Sequence, residues 1–313
     1  MSIYASYTNG SNGYIAKISL TGNLIATWNL GSAQDGVVQP YYNGMAVDSD
    51  DNVYYTTLGT KQNIIKRDKN GEILVTKNVA DVEAVYSIVI GPEGYIYTLE
   101  FSGLDINWRV VKRNASDLEI VLDEDENEEI MIISDAASHP TVPYSDIFHG
   151  LAVRANKGYL NFIRDDIETH VRTYERWIWG AASAAATMET ENYPYACLSV
   201  ISVTMINVLS NAYNTGVWRV INMGSEEFVE LDGMNCPENV GDDGTYFYFI
   251  GYEGTWGDHV NLLIEKYEVN GLAKVWTLTI PNSSSYVAGS ISANIYEEAG
   301  DYPIYPVIFP LET

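Results

Sequence analysis

The chain has 313 residues, of which 46% are hydrophobic, 12% aromatic and only 19% charged, enough apolar material for a large core and too little charge for a disordered chain. Acidic residues outnumber basic ones 42 to 17, giving a formal net charge of −25. Such a surface repels phosphate backbones and anionic membranes, which excludes nucleic acid and membrane insertion as expected partners.

Basic protein patches, cations and neutral glycans stay open as partners, although solubility alone accounts for much of the charge. No run approaches the roughly 18 apolar residues of a helical membrane span; the most apolar stretch, 200–209, is strand-length. The N-terminal segment has no basic stretch followed by an apolar one, so no signal peptide is expected. Synthesis in a reducing cytoplasm follows, with later incorporation into a particle allowed. Cys197 and Cys236 are too few for a disulfide scaffold and read as buried thiols.

A phrase recurs along the chain: apolar residues, a cation, then a turn. The cations are Lys17, Lys66, Lys112, Arg172, Arg219 and Lys266, spaced 49, 46, 60, 47 and 47 residues apart. A period in the forties built from short strands predicts radial β-repeats. One cation per repeat at a fixed strand position reads as a structural role rather than a cationic binding site.

In chain order, residues 2–30 predict three strands, Ile3–Tyr7, Tyr14–Leu20 and Leu24–Leu30, with no innermost strand before them. Residues 43–79 predict a complete four-stranded unit (43–48, 52–58, 63–68, 72–79) joined by turns rich in Asn, Asp and Gly. A second unit starts at Tyr86–Tyr97 and closes near Ile120–Leu122. A third starts at His149–Val153, a degenerate fourth runs from Ala196 to Leu231, and a fifth from Asn239 to Leu278. Tyr286–Ile291 then reads as an innermost strand with no blade after it. Pairing the two ends completes one blade and removes exposed edges. The expectation is a single all-β domain over 1–313, a six-bladed β-propeller whose closing blade is shared between the N- and C-termini. The tail at 301–313 is proline-rich, which suits an edge or extended segment; if it forms a full strand the count becomes seven. The long spacing locates an acidic insertion at 123–146, opening with Asp123–Glu129. A solvated loop is its ordinary reading, although insertions in repeat folds gather on one face, often the binding face.

The run Asn43-Gly44-Met45-Ala46-Val47-Asp48, continuing through Asn52-Val53-Tyr54-Tyr55 to Ile64-Ile65-Lys66-Arg67-Asp68-Lys69-Asn70-Gly71-Glu72-Ile73, resembles an NHL-type propeller repeat. His149–Val153 and Gly94–Tyr97 are similar fragments. NHL-like propellers and the related lactonase group include binding scaffolds, extracellular sensors and metal-dependent hydrolases, so the resemblance carries fold more than function. Lactonase-like members hold a divalent metal at the channel mouth with Glu, Asn and Asp at the starts of inner strands. The resemblance thereby implies Asn43, Glu83, His149 and Asn239, with Glu238 adjacent, as ligands for a divalent cation such as calcium. The fourth repeat offers only Tyr195 and Ala196 there, and polar residues in a wet channel need no metal.

Other chemistry finds little support. Asp48–Asn52 resembles the start of a calcium loop, but Gly59 stands where a bidentate Glu is needed, so a strand turn explains it better. His139 and His149 have no cysteine near them for a zinc site. Neither cysteine has a cationic neighbourhood, and no nucleophile elbow, phosphate loop or H-E-x-x-H is present, so no catalytic residue is assigned. Aromatic residues cluster at Tyr41–Tyr42, Trp177–Trp179, Tyr193–Tyr195 and Tyr252–Trp256. Tyr252, Trp256, Tyr41 and Tyr42 are the candidate contacts for a partner or ligand, with packing between blades as the competing role. The sequence thus points to a non-catalytic binding or assembly module with a protein partner, such as a structural component of a virion or phage tail. A metal-dependent lactonase or esterase at the channel mouth is one alternative, and a glycan-binding adhesin using Tyr252 to Trp256 is another.

Overall fold

The computed structural model describes residues 2–9, 12–32, 37–38, 44–58, 62–79, 82, 84–91, 93–102, 107–134, 146–154, 159–166, 171–180, 186–190, 206–210, 218–222, 227–230, 236–243, 245–255, 258–268, 273–281 and 287–293. Among them every regular element is a β-strand, and the strands form six antiparallel sheets. The first sheet holds β1 (Ser2–Thr8), β2 (Asn12–Ser19) and β3 (Leu24–Ser32). The second holds β4 (Val37–Val38), β5 (Met45–Val47), β6 (Val53–Leu58), β7 (Asn63–Arg67) and β8 (Ile73–Asn78). The third holds β9 (Ala84–Ile90), β10 (Ile96–Ser102), β11 (Asn107–Arg113) and β12 (Ile130–Ser134). The fourth holds β13 (Asp146–Arg154), β14 (Tyr159–Asp166), β15 (Val171–Ile178) and β16 (Ala186–Thr190). The fifth holds β17 (Ile206–Ser210), β18 (Trp218–Asn222) and β19 (Glu227–Glu230). The sixth holds β20 (Cys236–Asp242), β21 (Tyr246–Thr255), β22 (Asp258–Glu268) and β23 (Lys274–Ile280).

The last strand, β24 (Val287–Ala293), joins the first sheet, which runs β24-β1-β2-β3. Its register sets Ile3 opposite Ala293, Ala5 opposite Ile291 and Thr8 opposite Val287. The two ends of the chain therefore share one sheet, as the unmatched strands predict. The inner strands β20, β24, β5, β9 and β13 lie against one another in that order, the radial arrangement of a β-propeller.

The cores lie between sheets, and the period of two that alternates side chains across a strand builds them. Ile3 and Ala5 pack towards β21 and β22, on Phe247, Phe249 and Leu262. Tyr4, between them, faces the other way and packs with Trp28 on Met45, Val53 and Tyr55. Tyr54 then turns from Tyr55 to meet Val85, Ile88 and Leu118 of the third sheet. Because both faces of β1 are covered, six of its seven residues are buried.

One turn recurs. A residue accepts from the residue three positions on, which sits in the left-handed region, and pairs with the residue four positions on. It occurs at 19–23, 48–52, 68–72, 91–95 and 123–127, with Gly22, Asp51, Gly71, Gly94 and Glu126 at φ values of 84, 64, 92, 82 and 64°. This is a type I turn with a left-handed bulge residue. At Asp48, Asp68 and Asp123 one carboxylate oxygen accepts two backbone N–H groups at 2.8–2.9 Å. The sequence reading of Asp48–Asn52 as a strand turn is correct.

Two expectations need correction. The third sheet does not end at 120–122: Ile120 and Val121 meet Arg113 and Lys112 of β11, Asp123–Asn127 turns a small hairpin with Leu122 bridged to Glu128, and β12 then continues the outer edge along β11. The acidic run is thus an ordered turn at least through Asn127. Arg172 is out of step with the other cations. Lys17, Lys66, Lys112 and Lys266 pair with Tyr4, Tyr54, Tyr97 and Tyr248, early in the second strand, but Arg172 pairs with Asp165 near its far end. Arg176, opposite Asn161, is the cation near the matching level.

Outer strands latch onto the next sheet through tryptophan. A Cβ at Gly71 would stand 2.8 Å from the Trp28 indole nitrogen, and one at Gly22 would stand 2.9 Å from the Trp276 ring. Gly31 shares the φ of Gly71, 92°, but has nothing within 4 Å. Gly71→Ala should therefore lower the midpoint of thermal unfolding well beyond Gly31→Ala, by the added ~1–3 kcal/mol of overpacking. Equal losses in the two variants would show that Trp28 does not latch there.

Candidate functional site

The inner strands share an irregularity. Each of β9, β13, β20 and β24 carries one extra residue near the same place. It is Tyr86 in β9 and Glu238 in β20; in β13 it falls at Gly150–Leu151, and in β24 at Gly289–Ser290. In the second sheet the ladder also breaks: Val38 pairs with Thr57 and Met45 with Tyr55, leaving Thr56 outside both registers. The Thr56 N–H donates to the Gly44 carbonyl at 3.0 Å. Bulges of this kind free backbone groups from the ladder and re-aim side chains, and they gather at barrel rims and binding sites.

Two sequence candidates fall on this ring. His149, opposite Ile163, and Asn239, opposite Ile250, each flank the bulge of their own inner strand. In β9 the bulge lies between Val85 and Ser87, both fully buried. Asn43, Glu83, Tyr41, Tyr42 and Trp256 lie outside the described residues. Among the described residues no three His, Cys, Asp or Glu side chains converge as a metal site. Tyr252 is corrected: it is 3% exposed, and its hydroxyl accepts the Ala288 N–H at 2.5 Å. It fastens the closing strand to β21 and offers no exposed contact.

The charged residues that the sequence repeats are spent on joints between and within sheets. Each repeat lysine lies over a tyrosine ring: Lys17 over Tyr4 at 5.4 Å, Lys66 over Tyr54 at 5.1 Å, Lys112 over Tyr95 at 4.4 Å and Lys266 over Tyr246 at 3.5 Å. The Lys17 ammonium also donates to the Lys69 carbonyl, and that of Lys66 to the Ala115 carbonyl, both at 2.9 Å and both on the following sheet. Lys112 pairs with Glu129 at 2.6 Å. The tyrosine hydroxyls in turn donate to acids of the turn: Tyr54 to Asp48 at 3.0 Å, Tyr248 to Asp243 at 2.5 Å, and Tyr97 to Glu93. Burial holds the Tyr54 and Tyr97 hydroxyls well above the usual tyrosine range, the charge of Asp48 and the hydrogen bond to Glu93 adding to it. Burial lowers the Lys266 ammonium, against the attraction of Asp243.

Among the described residues Glu100, Glu175 and Glu265 are buried; Glu175 accepts from the Trp177 indole N–H, and Glu100 and Glu265 have cationic partners. Glu100 accepts from Arg113 at 2.7 Å, Thr98 at 2.6 Å and Arg109 at 3.1 Å. Glu265 accepts from Tyr267 at 2.7 Å, Thr277 at 2.8 Å and Lys274 at 3.1 Å. Buried ions persist only when paired in this way, so neither is a free acid or base. The sequence reading found the lysines but missed their tyrosine partners. The signal was present, since Tyr54, Tyr97 and Tyr248 each stand two residues after the end of a turn.

No protein-family model matches the sequence, and no curated protein matches it. Solved structures do. A protein of unknown function from Bacteroides caccae is 13% identical, with a TM-score of 0.54 over 93% of this chain and 98% of that one. A catalytically inactive virginiamycin B lyase from Staphylococcus aureus, solved with quinupristin, is 16% identical, with a TM-score of 0.43 over 89% of this chain and 84% of that one. The Dos1 propeller is 11% identical, with a TM-score of 0.44 over 86% of this chain and 68% of that one. At 13% identity the likeness to the Bacteroides caccae protein is one of fold alone.

The tyrosine joints predict an alkaline limit. A hydroxyl whose pKa is raised on folding contributes stability that is complete below the unfolded value near ~10 and is lost as pH climbs past it. Tyrosinate absorbance should therefore rise together with loss of the β-sheet circular dichroism signal. Smooth titration of all tyrosines with the fold intact would contradict the joints.

Proposed function

We propose that this chain is a non-catalytic binding or assembly module, a six-bladed propeller closed by a blade shared between its termini. The observation that carries this reading is the fate of its charge. The repeat lysines, the turn aspartates and the buried Glu100 and Glu265 are engaged in joints within or between sheets. What the fold offers a partner is a stiff ring and an acidic surface, the attributes of a scaffold. A place in a larger particle such as a virion or phage tail fits this use. The glycan-binding alternative loses Tyr252 to the core.

One observation favours a second reading, a metal-dependent lactonase or esterase at the channel mouth. His149 and Asn239 both flank inner-strand bulges, so the ring could bring an imidazole and an amide oxygen to a divalent cation such as calcium. A bound cation would polarise a carbonyl or activate water there.

Metal analysis and ester turnover separate the two. The binding reading expects no stoichiometric metal, and no change in stability or lactone and ester turnover in Asn239→Ala. Metal at one per chain, lost together with turnover in Asn239→Ala, would establish the enzyme instead.

A further inference from the structure

Lys17, Lys66 and Lys112 each end on an oxygen: the Lys69 carbonyl, the Ala115 carbonyl and the Glu129 carboxylate. Lys69 and Ala115 hold the same place on the following sheet. Each comes directly after the first residue of a turn, Asp68 or Asn114. The matching acceptor for Lys266 is the Leu20 carbonyl, directly after Ser19 in the turn 19–23 of the first sheet. Trp276 takes it instead. It stands opposite Lys266 across the β22–β23 ladder, and its indole N–H donates to the Leu20 carbonyl at 3.0 Å.

The nearby carboxylate is also occupied. Asp243 Oδ1 accepts the Thr245 and Tyr246 N–H groups at 2.9 and 2.8 Å, and its Oδ2 accepts the Tyr248 hydroxyl at 2.5 Å. Lys266 is left with rings. Its nitrogen lies 3.5 Å from the centre of Tyr246 and 5.5 Å from that of Tyr248. Among the described residues it has no hydrogen-bonded oxygen and no ion pair. The side chain is 6% exposed, but Tyr246 beneath the nitrogen is only half-buried and stands beside exposed Thr245. Asp243, Tyr246 and Tyr248 face the ammonium from β21 and its turn, and the turn 19–23 packed against Trp276 has no charged residue. An ammonium that loses water and gains only ring faces gives up its proton more readily, and burial lowers this one while Asp243 opposes.

We propose that Lys266 is a covalent attachment site, a neutral amine that takes up small aldehydes as a Schiff base. The nitrogen lone pair attacks the carbonyl carbon. The carbinolamine takes a proton on its oxygen, loses water and leaves an iminium, with no oxidant or reductant needed. The rings select the electrophile. An iminium keeps its positive charge over Tyr246, whereas acylation would abolish that charge and the contact with it. Burial selects for small size. The attachment is stoichiometric, and it goes beyond the scaffold reading without requiring turnover.

Propionaldehyde with cyanoborohydride, which reduces the iminium, marks the site in the full folded chain, and peptide mass spectrometry reads each lysine. Lys66 is the internal control, since it lies over Tyr54 as Lys266 lies over its tyrosines but has a carbonyl acceptor. At neutral pH Lys266 should be labelled severalfold faster than Lys66 and than exposed Lys69, because each unit by which an ammonium is lowered multiplies its neutral form about tenfold. The margin should narrow as pH rises. Trp276→Phe frees the Leu20 carbonyl and should slow Lys266 towards the rate of Lys66; if that variant does not fold, the wild-type rates decide. A Lys266 rate at or below that of Lys69 overturns the proposal. So does a margin that pH leaves constant, or labelling unchanged in a folded Trp276→Phe chain.

Discussion

The pairing of β24 with β1 is the constraint on which the rest of the structure depends. Its strand β24 lies between β20 and β5, so the sheets on either side of it are joined only while it is in place. The first sheet obtains its inner strand from the far end of the chain. That strand is fixed by more than its ladder. The Ala288 N–H donates to the Tyr252 hydroxyl of β21, and a Cβ at Gly241 of β20 would stand 2.6 Å from the Ile291 carbonyl oxygen. Ala288 and Ile291 both lie in the core shared with Phe247, Phe249 and Leu262. The closing contact is therefore a full sheet-to-sheet interface, made between residues nearly the whole sequence apart.

Around that ring, neighbouring sheets are joined by a repeated polar device. A lysine of the third strand lies over a tyrosine of the second, and on the first two sheets it also hydrogen-bonds a carbonyl of the next sheet. Each contact is worth about 0.5–2 kcal/mol, so no single one decides the fold. Their effect is orientation: a lysine that reaches a neighbouring turn sets how that sheet docks. The same economy explains the turns, where an aspartate takes up backbone N–H groups that the strand ladder leaves unpaired.

Much of the fold was legible because its signals are local. The strands of 2–30 and 43–79, the Asn-, Asp- and Gly-rich turns and the unmatched inner strand at 286–291 all follow from composition and spacing. What escaped the sequence depends on register. Arg172 fits the spacing but pairs with Asp165, because counting along a chain does not reveal which residue a strand places opposite. The third sheet meets β11 at Ile120 and Val121 as expected, but its outer edge runs on through the hairpin at 123–127 into β12, because that hairpin also consists of short β-like pieces. Of the candidate site, His149 and Asn239 lie beside inner-strand bulges, and Glu83 lies outside the described residues. A bulge adds one residue without a compositional mark, so it shifts every later assignment unseen. Tyr252 shows the other weakness of sequence reading, since an aromatic residue suits a core and a contact surface equally well.

Closure by β24 is a condition of folding, and unfolding of two truncated chains tests it most directly. One ends after Tyr286 and lacks β24; the other ends after Ala293 and keeps it. In urea, followed by circular dichroism, the longer chain should unfold in one cooperative transition. The shorter should have lost that transition or show a far lower midpoint with a reduced slope. The same midpoint and slope for both would contradict the claim that the ends of the chain hold the ring together.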